Sequence, residues 1–264
     1  MAPVLLYPSA PALSRITLGS SNFARENDAA TAFTLMDHAQ KLGVTLFDTA
    51  ATYSAGASEL VVGAWLASRR PEPGRLMIAT KIYPPYTPAA MEAAVTASAA
   101  RLGVETIDLL YLHKWDPEAA TPAALTTLDQ LVRSGRVRTL GASNFNAHQL
   151  GTVLTLQKQL GLTCFTVLQN NHNLAVREVD APLRELCAAQ GVAIVTYSPL
   201  GGGFLTGKHR GGVDFADREV VIILQHGEAS EAQLLLQGEH RTELVGVKIT
   251  RAECADAAAA YELV

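Results

Sequence analysis

The chain has 264 residues, 48% of them hydrophobic and 17% charged, with a formal net charge of −4. That apolar fraction is ample for one sizeable core and lies far from a disordered composition. The mixed, slightly acidic balance gives neither the basic footprint of a nucleic-acid binder nor the polybasic face of a membrane-surface protein.

In chain order, the N-terminus has no basic region, and Pro3, Pro8 and Pro11 interrupt its short apolar run. No stretch reaches the roughly 18 apolar residues of a membrane helix, so a soluble, cytoplasmic protein is expected. Ile16 to Leu18 reads as an opening strand. Ala29, Ala32, Phe33, Met36, Ala39 and Leu42 then share one face of a helix that ends before Gly43. A buried strand, Val44 to Phe47, runs up to Asp48. Glu59 to Ser68 is helical, stops before Pro71 and leads to the strand Leu76 to Thr80. Thr87-Pro88 pairs an N-cap with a proline at the first helical position. That helix runs to Leu102 and Gly103 and feeds the strand Ile107 to Leu112. Thr121-Pro122 repeats the signal for a helix closing at Gly135, before the strand Val137 to Ala142. His148 to Leu160 and Pro182 to Gln190 are further helices, followed by the strands Cys164 to Leu168 and Val192 to Thr196.

Strict alternation of strand and helix implies a parallel sheet with crossover helices. Units of about 30 residues favour an α/β fold of the (β/α)8 TIM barrel kind, as one domain over residues 1–264. The competing doubly wound sheet usually carries GxGxxG after its first strand; here that position reads Gly19-Ser20-Ser21-Asn22-Phe23. The eighth strand is placed at Leu244 to Val247. Thr250-x-x-Glu253 then caps an Ala-rich C-terminal helix. Between them and Lys208, Ser230-x-x-Gln233 is expected to cap a short helix through Gln237. Val220 to Leu224 fits either a strand or a buried helix. Cys164, Cys187 and Cys254 are scattered without CxxC spacing, which argues against a disulfide framework or a zinc site and for core thiols.

Polar residues close almost every predicted strand: Asp48 (with Tyr53 just beyond), Lys81, His113, Ser143-Asn144, Gln169-Asn170, Tyr197-Ser198 and Lys248. In a barrel, all strand C-termini converge on the face where active sites are built. The set makes chemical sense. A tyrosine is a poor proton donor or base near neutrality unless shifted; a lysine ammonium favours its phenolate, and an aspartate keeps that lysine charged and oriented. A neutral histidine can polarise a carbonyl by hydrogen bonding. No serine–histidine pair and no metal constellation accompanies them.

Several segments carry a family resemblance: Phe47-Asp-Thr-Ala-Ala-Thr-Tyr53, Gly56-x-Ser58-Glu59 with Gly63, Ala79-Thr-Lys81, Asp108-Leu-Leu-Tyr-Leu-His113, Gly141-Ala-Ser-Asn-Phe145, and Tyr197-Ser-Pro-Leu-Gly-Gly-Gly-Phe-Leu-Thr-Gly-Lys208. From Ile16 to Lys208 the chain resembles the aldo-keto reductases. His113-Lys-Trp-Asp-Pro117 is close to the branch of aryl-alcohol and sugar-ketone reductases. The resemblance implies an NADPH/NADP+-dependent reduction of a small-molecule carbonyl substrate. Tyr53 would be the general acid, Lys81 its modulator, Asp48 the partner of Lys81 and His113 the orienting donor. Ser143, Asn144 and Gln169 would hold the nicotinamide carboxamide, beside Asp48, and Tyr197 would stack on the ring. The loop Ser198, Pro199, Leu200, Gly201, Gly203 to Lys208 would wrap the pyrophosphate; a ligand-free flexible turn is the alternative for its glycines. Lys248 and Arg251 would meet a 2′-phosphate at a helix N-terminus, or be ordinary surface cations. Gly56-x-Ser58-Glu59 is read as opening the second helix, and Trp115 as lining the substrate mouth or packing. In the family the segment before the last strand is longer, so the crossover between strands 7 and 8 is shortened here. That leaves an alternative role as a weakly active or inactive nicotinamide-binding barrel serving as a regulatory or sensing subunit. Neither nucleic acid nor membrane is expected as a partner, and composition carries no signal for oligomeric state.

Overall fold

The computed structural model describes residues 4–72 and 74–206, and the backbone of 219–225 and 231–237. Seven strands alternate with six helices: β1 (Leu18–Gly19), α1 (Ala29–Lys41), β2 (Leu46–Asp48), α2 (Ala57–Arg69), β3 (Met77–Ile82), α3 (Pro88–Leu102), β4 (Ile107–Leu112), α4 (Pro122–Arg133), β5 (Val137–Ser143), α5 (Ala147–Gln159), β6 (Val167–Asn171), α6 (Ala181–Gln190) and β7 (Ala193–Tyr197). The strands form one sheet in sequence order, and β1 to β6 pair parallel throughout. A parallel sheet wound in sequence order with a helix in every crossover is the plan of the (β/α)8 barrel. Among the described residues, no helix is long and apolar enough to cross a membrane.

The helix starts follow from their caps. Thr87 and Thr121 accept from the backbone N–H of Ala90 and Ala124, each with proline at the first helical position. Asn146 and Gln149 form a reciprocal capping box, so α5 begins a residue before the expected His148. Such a cap contributes about 1 kcal/mol. Two strands shift from expectation. β1 holds only Leu18 and Gly19, paired with Phe47 and Asp48, and Ile16 is exposed. β6 starts at Val167 because 163–165 bond to side chains instead. Asp129 accepts from Thr163 N–H, Gln157 Oε1 accepts from Phe165 N–H, and Gln157 Nε2 donates to the Thr163 carbonyl.

The chain divides into two compact units, Met1–Gln169 with Pro182–Val195, and Asn170–Ala181 with Thr196 onward. In the first, the segment before β1 covers the strand starts. Leu6 and Ala10 bury against Leu46, Met77, Leu109, Tyr111 and Val167, and the Tyr7 hydroxyl donates to Asp108 at 2.9 Å. In the second, β8 (Glu219–Gln225) and β9 (Glu231–Gln237) form an antiparallel pair, Glu219 opposite Gln237 and Gln225 opposite Glu231. This corrects the helix expected from Ser230 through Gln237 and resolves Val220 to Leu224 as strand. A run of β-branched residues prefers the extended backbone, and pairing in a hairpin outweighs the capping signal. The expected strand Leu244 to Val247, the capping box at Thr250, the C-terminal helix and Cys254 lie outside the described residues. So do Lys208, Lys248 and Arg251.

Candidate active site

β2 ends on the buried Asp48, and the chain then makes a tight turn at Tyr53. Ser54 and Ala55 adopt left-handed φ values of 49° and 54°, a strain of about 1–2 kcal/mol per residue. The turn is pinned by Ser54 Oγ donating to the Phe23 carbonyl at 2.9 Å. Lys81, 1% exposed, points inward near the end of β3. Its ammonium donates to Asp48 Oδ2, to the Thr49 carbonyl at 2.9 Å and to the Tyr53 hydroxyl at 3.2 Å. Gln169 Nε2 donates to the other carboxylate oxygen of Asp48 at 3.0 Å. His113 follows β4, held by its N–H on the Ile82 carbonyl. Its ring meets the edge of Tyr53 at 5.8 Å between centroids, and its Nδ1 lies 3.3 Å from Thr52 Oγ1. The four residues predicted from strand ends therefore form one cluster.

Burial dominates the titration of Tyr53 and His113. It pushes the Tyr53 phenol above its usual value; the Lys81 ammonium pulls it back down, and the Asp48 charge adds to the rise. Lys81 thus acts in the expected sense but is outweighed, so the phenol stays protonated at neutral pH. The His113 imidazole is pushed down to about 4 by burial and then by the Lys81 charge, with Asp48 opposing and Lys114 adding. It is neutral at pH 7. A neutral imidazole keeps one N–H; the tautomer with that proton on Nε2, its Nδ1 accepting from the Thr52 hydroxyl, is the one that would present a donor to a substrate.

Ser143 and Gln169 face each other across β5 and β6. Asn144, in a left-handed turn with φ 60°, donates its N–H to the Gln169 carbonyl at 3.0 Å. Its side-chain amide donates to the His113 carbonyl at 2.8 Å and to Ser143 Oγ at 3.1 Å. Two amides and a hydroxyl, the donor set suited to a carboxamide, are thus brought to the Asp48 cluster.

Tyr197, Ser198, Pro199, Leu200, Gly201 and Gly203 belong to the second unit. Here Gly201, Gly202 and Gly203 take φ values of 56°, 64° and 95°, the left-handed region that glycine enters without a Cβ penalty. The Gly201 N–H donates to the Ser198 carbonyl and the Gly203 N–H to Leu200. Asn173, which strand-end reasoning missed, anchors this turn: its Nδ2 donates to the Ser198 carbonyl at 2.9 Å. Its Oδ1 accepts from Ala175 and Val176. Trp115, half-buried, packs edge-on against Phe145 at 5.2 Å. Tyr83, also missed, is 46% exposed and sits edge-on to His113 at 5.8 Å. The adjacent aromatic and histidine positions are 30 residues apart in sequence, and only the pairing of β3 with β4 brings them together.

Comparison with known proteins agrees with this geometry. The chain is 31% identical over 213 residues to norsolorinic acid reductase B of Dothistroma septosporum, covering 72% of this chain and 54% of that protein. It is 32% identical over 197 residues to aflatoxin B1 aldehyde reductase member 4 of Homo sapiens (73% and 60%). An uncharacterized oxidoreductase of Bacillus subtilis, YrpG, is 29% identical over 213 residues (74% and 65%). The chain therefore spans less than two thirds of the length of these relatives. The aldo/keto reductase family model matches residues 15–237, across both units and every member of the Asp48 cluster, and the chain belongs to that family.

Proposed function

We propose that the protein is an NADPH-dependent reductase that converts an aldehyde or ketone to an alcohol. The observation that carries this reading is the continuous hydrogen-bond chain Asp48–Lys81–Tyr53 beside a neutral His113. Reduced nicotinamide, when bound, supplies the hydride. The chain's own residues do the rest. His113 donates to the carbonyl oxygen and polarises it. Tyr53, protonated at neutral pH, delivers its proton to that oxygen as negative charge develops. Lys81 stabilises the resulting phenolate, and Asp48 keeps the ammonium in place. Ser143, Asn144 and Gln169 would hold the carboxamide, and Tyr197 would stack on the ring. The turn from Ser198 through Gly203 towards Lys208 would cradle the pyrophosphate. Lys248 and Arg251 are assigned the 2′-phosphate. Small aromatic carbonyls or sugar-derived ketones are the proposed substrate class, and relatives named as aldehyde and norsolorinic acid reductases support it. A cytoplasmic setting belongs to the same proposal and accords with Cys164 and Cys187 as free thiols.

The test is NADPH titration by quenching of tryptophan fluorescence, then turnover over a panel of aldehydes and ketones. Tyr53→Phe is expected to lower kcat by about 10²–10⁴-fold, the range for a lost general acid, with the dissociation constant for NADPH unchanged. Equal turnover in the variant would sink the assignment of Tyr53. Saturable NADPH binding with no turnover over the panel would replace the reductase with a sensing module.

A further inference from the structure

The first turn of α2 is unusual for a helix whose outer face meets solvent. Ser58 and Glu59 are both 0% exposed, and consecutive residues here reach two different strands. Ser58 Oγ donates to the Ser20 carbonyl at 2.9 Å and lies 2.8 Å from Ser20 Oγ and 3.0 Å from Thr49 Oγ1. Ser20 in turn donates through both its N–H and its hydroxyl to the Asp48 carbonyl. Glu59 accepts from Thr80 Oγ1 at 2.5 Å and from Arg101 Nε at 2.6 Å.

The placement of these partners is the point. Thr49 follows Asp48, and Thr80 precedes Lys81. Alternation along a strand sends Lys81 inward to Asp48 and Tyr53 while Thr80 points outward to Glu59. Thr49 offers its carbonyl to the Lys81 ammonium and its hydroxyl to Ser58. Each strand end that carries a proton-transfer residue is thus tied, one residue away, to the same helical turn. Close approach of α3 completes the tie. A Cβ on Gly63 would meet the Arg101 carbonyl at 2.5 Å, so glycine there lets Arg101 reach Glu59. A buried carboxylate is costly, and an apolar replacement is often as stable as a buried ion pair. Fixed geometry is what such a pair adds.

We propose that Ser58 and Glu59 are positioning residues for the proton-transfer cluster, Glu59 setting Lys81 through Thr80 and Ser58 setting Asp48 through Thr49 and Ser20. The consequence for rate rests on the reductase reading above; the consequence for Tyr53 does not.

Thr80→Val removes the donor to Glu59 with little change of shape, and Thr80→Ser restores it. Two readouts separate positioning from simple stability. The first is ionisation of Tyr53, followed by phenolate absorbance against a Tyr53→Phe background. The groups that face Tyr53 are Lys81, Asp48 and His113. In Thr80→Val the ammonium is released from its seat, so Tyr53 should titrate at higher pH, and in Thr80→Ser at the wild-type value. The second is turnover of a carbonyl substrate with NADPH. Here kcat should fall about tenfold, since small misplacements of catalytic groups cost rates of this order, while KM stays unchanged. An unshifted Tyr53 titration in a folded Thr80→Val protein overturns the proposal, whatever happens to its melting temperature. Should that variant not fold, Ser58→Ala tests the other arm by the same titration: loss of the tie to Thr49, whose carbonyl seats Lys81, should again move Tyr53 to higher pH, and an unshifted titration overturns the proposal. A wild type with no turnover would defeat the reductase reading and leave the titration to decide the brace.

Discussion

The Asp48 cluster and the glycine turn after β7 both lie at strand ends, yet they are held in different ways. The cluster is seated on buried polar bonds: Lys81 between Asp48 and Tyr53, Gln169 on Asp48, and Glu59 with Ser58 behind them. Among the described residues, the turn is held by short-range backbone bonds and by Asn173, and residues 198–200 are exposed. Groups that must move a proton need positions fixed to a fraction of an ångström. A loop proposed to wrap a pyrophosphate needs conformational permission more than rigidity. Damage to the first region should therefore appear in stability and chemistry together. Damage to the second should appear in affinity alone.

The largest effect on the rigid region is expected from Gly141→Ala. A Cβ there would lie 2.6 Å from Tyr111 Cδ1, 2.7 Å from Cε1 and 2.9 Å from the Val167 carbonyl. Neither a fully buried ring nor a paired strand can yield cheaply, and overpacking of this kind costs about 1–3 kcal/mol. For a chain of this size that is a fall in melting temperature of roughly 5 °C, read by circular dichroism. Tyr111 also lies under the Lys81 ammonium, 5.8 Å from ring centroid to nitrogen, so kcat should fall with stability. Melting and turnover both equal to wild type would remove the claim that this region is rigid.

The rigid region was largely legible in the sequence, because apolar strands that end in polar residues mark a barrel mouth without any knowledge of contacts. Asp48, Lys81, His113 and Ser143 could be placed on strand ends by periodicity alone. What could not be read depends on partners distant in sequence. Glu59 meets Arg101 42 residues away, and nothing in Gly56-x-Ser58-Glu59 signals that its carboxylate turns inward. The start of β6 moved because Gln157 and Asp129 claim the backbone of 163–165, which a local pattern cannot foresee. At 231–237 the capping signal lost to hairpin pairing with β8, a tertiary preference overriding a local one.

Gly203→Ala probes the turn with a smaller effect. At φ 95° a side chain is strained, by about 1–2 kcal/mol. The turn is expected to relax rather than unfold the protein, because it is local and partly exposed. NADPH affinity should weaken about tenfold, with kcat at saturating cofactor and the melting temperature close to wild type. Fluorescence titration and a melt on the same sample measure both. A fall in melting temperature as large as that of Gly141→Ala would show that the two regions are braced alike and break the comparison.

The last and least direct test concerns the pH dependence of the rigid region. The folded His113 titrates at about 4, below the ordinary 6.5, through burial, Lys81 and Lys114, with Asp48 opposing. Between these values the unfolded chain binds a proton at this residue and the folded chain does not. Stability therefore rises with pH across the window and is lost as pH falls through it. Above the window both states are neutral; below it both are charged and the loss is complete. The carboxylates titrate in the same range, so the wild-type slope alone is no test. The difference between wild type and His113→Asn isolates it: the variant should lose less melting temperature between pH 6.5 and 4. Parallel slopes would mean that His113 is as open to water as a residue of the glycine turn. A shallower slope in the variant would place the imidazole within the braced, desolvated cluster, where a neutral donor is what carbonyl polarisation requires.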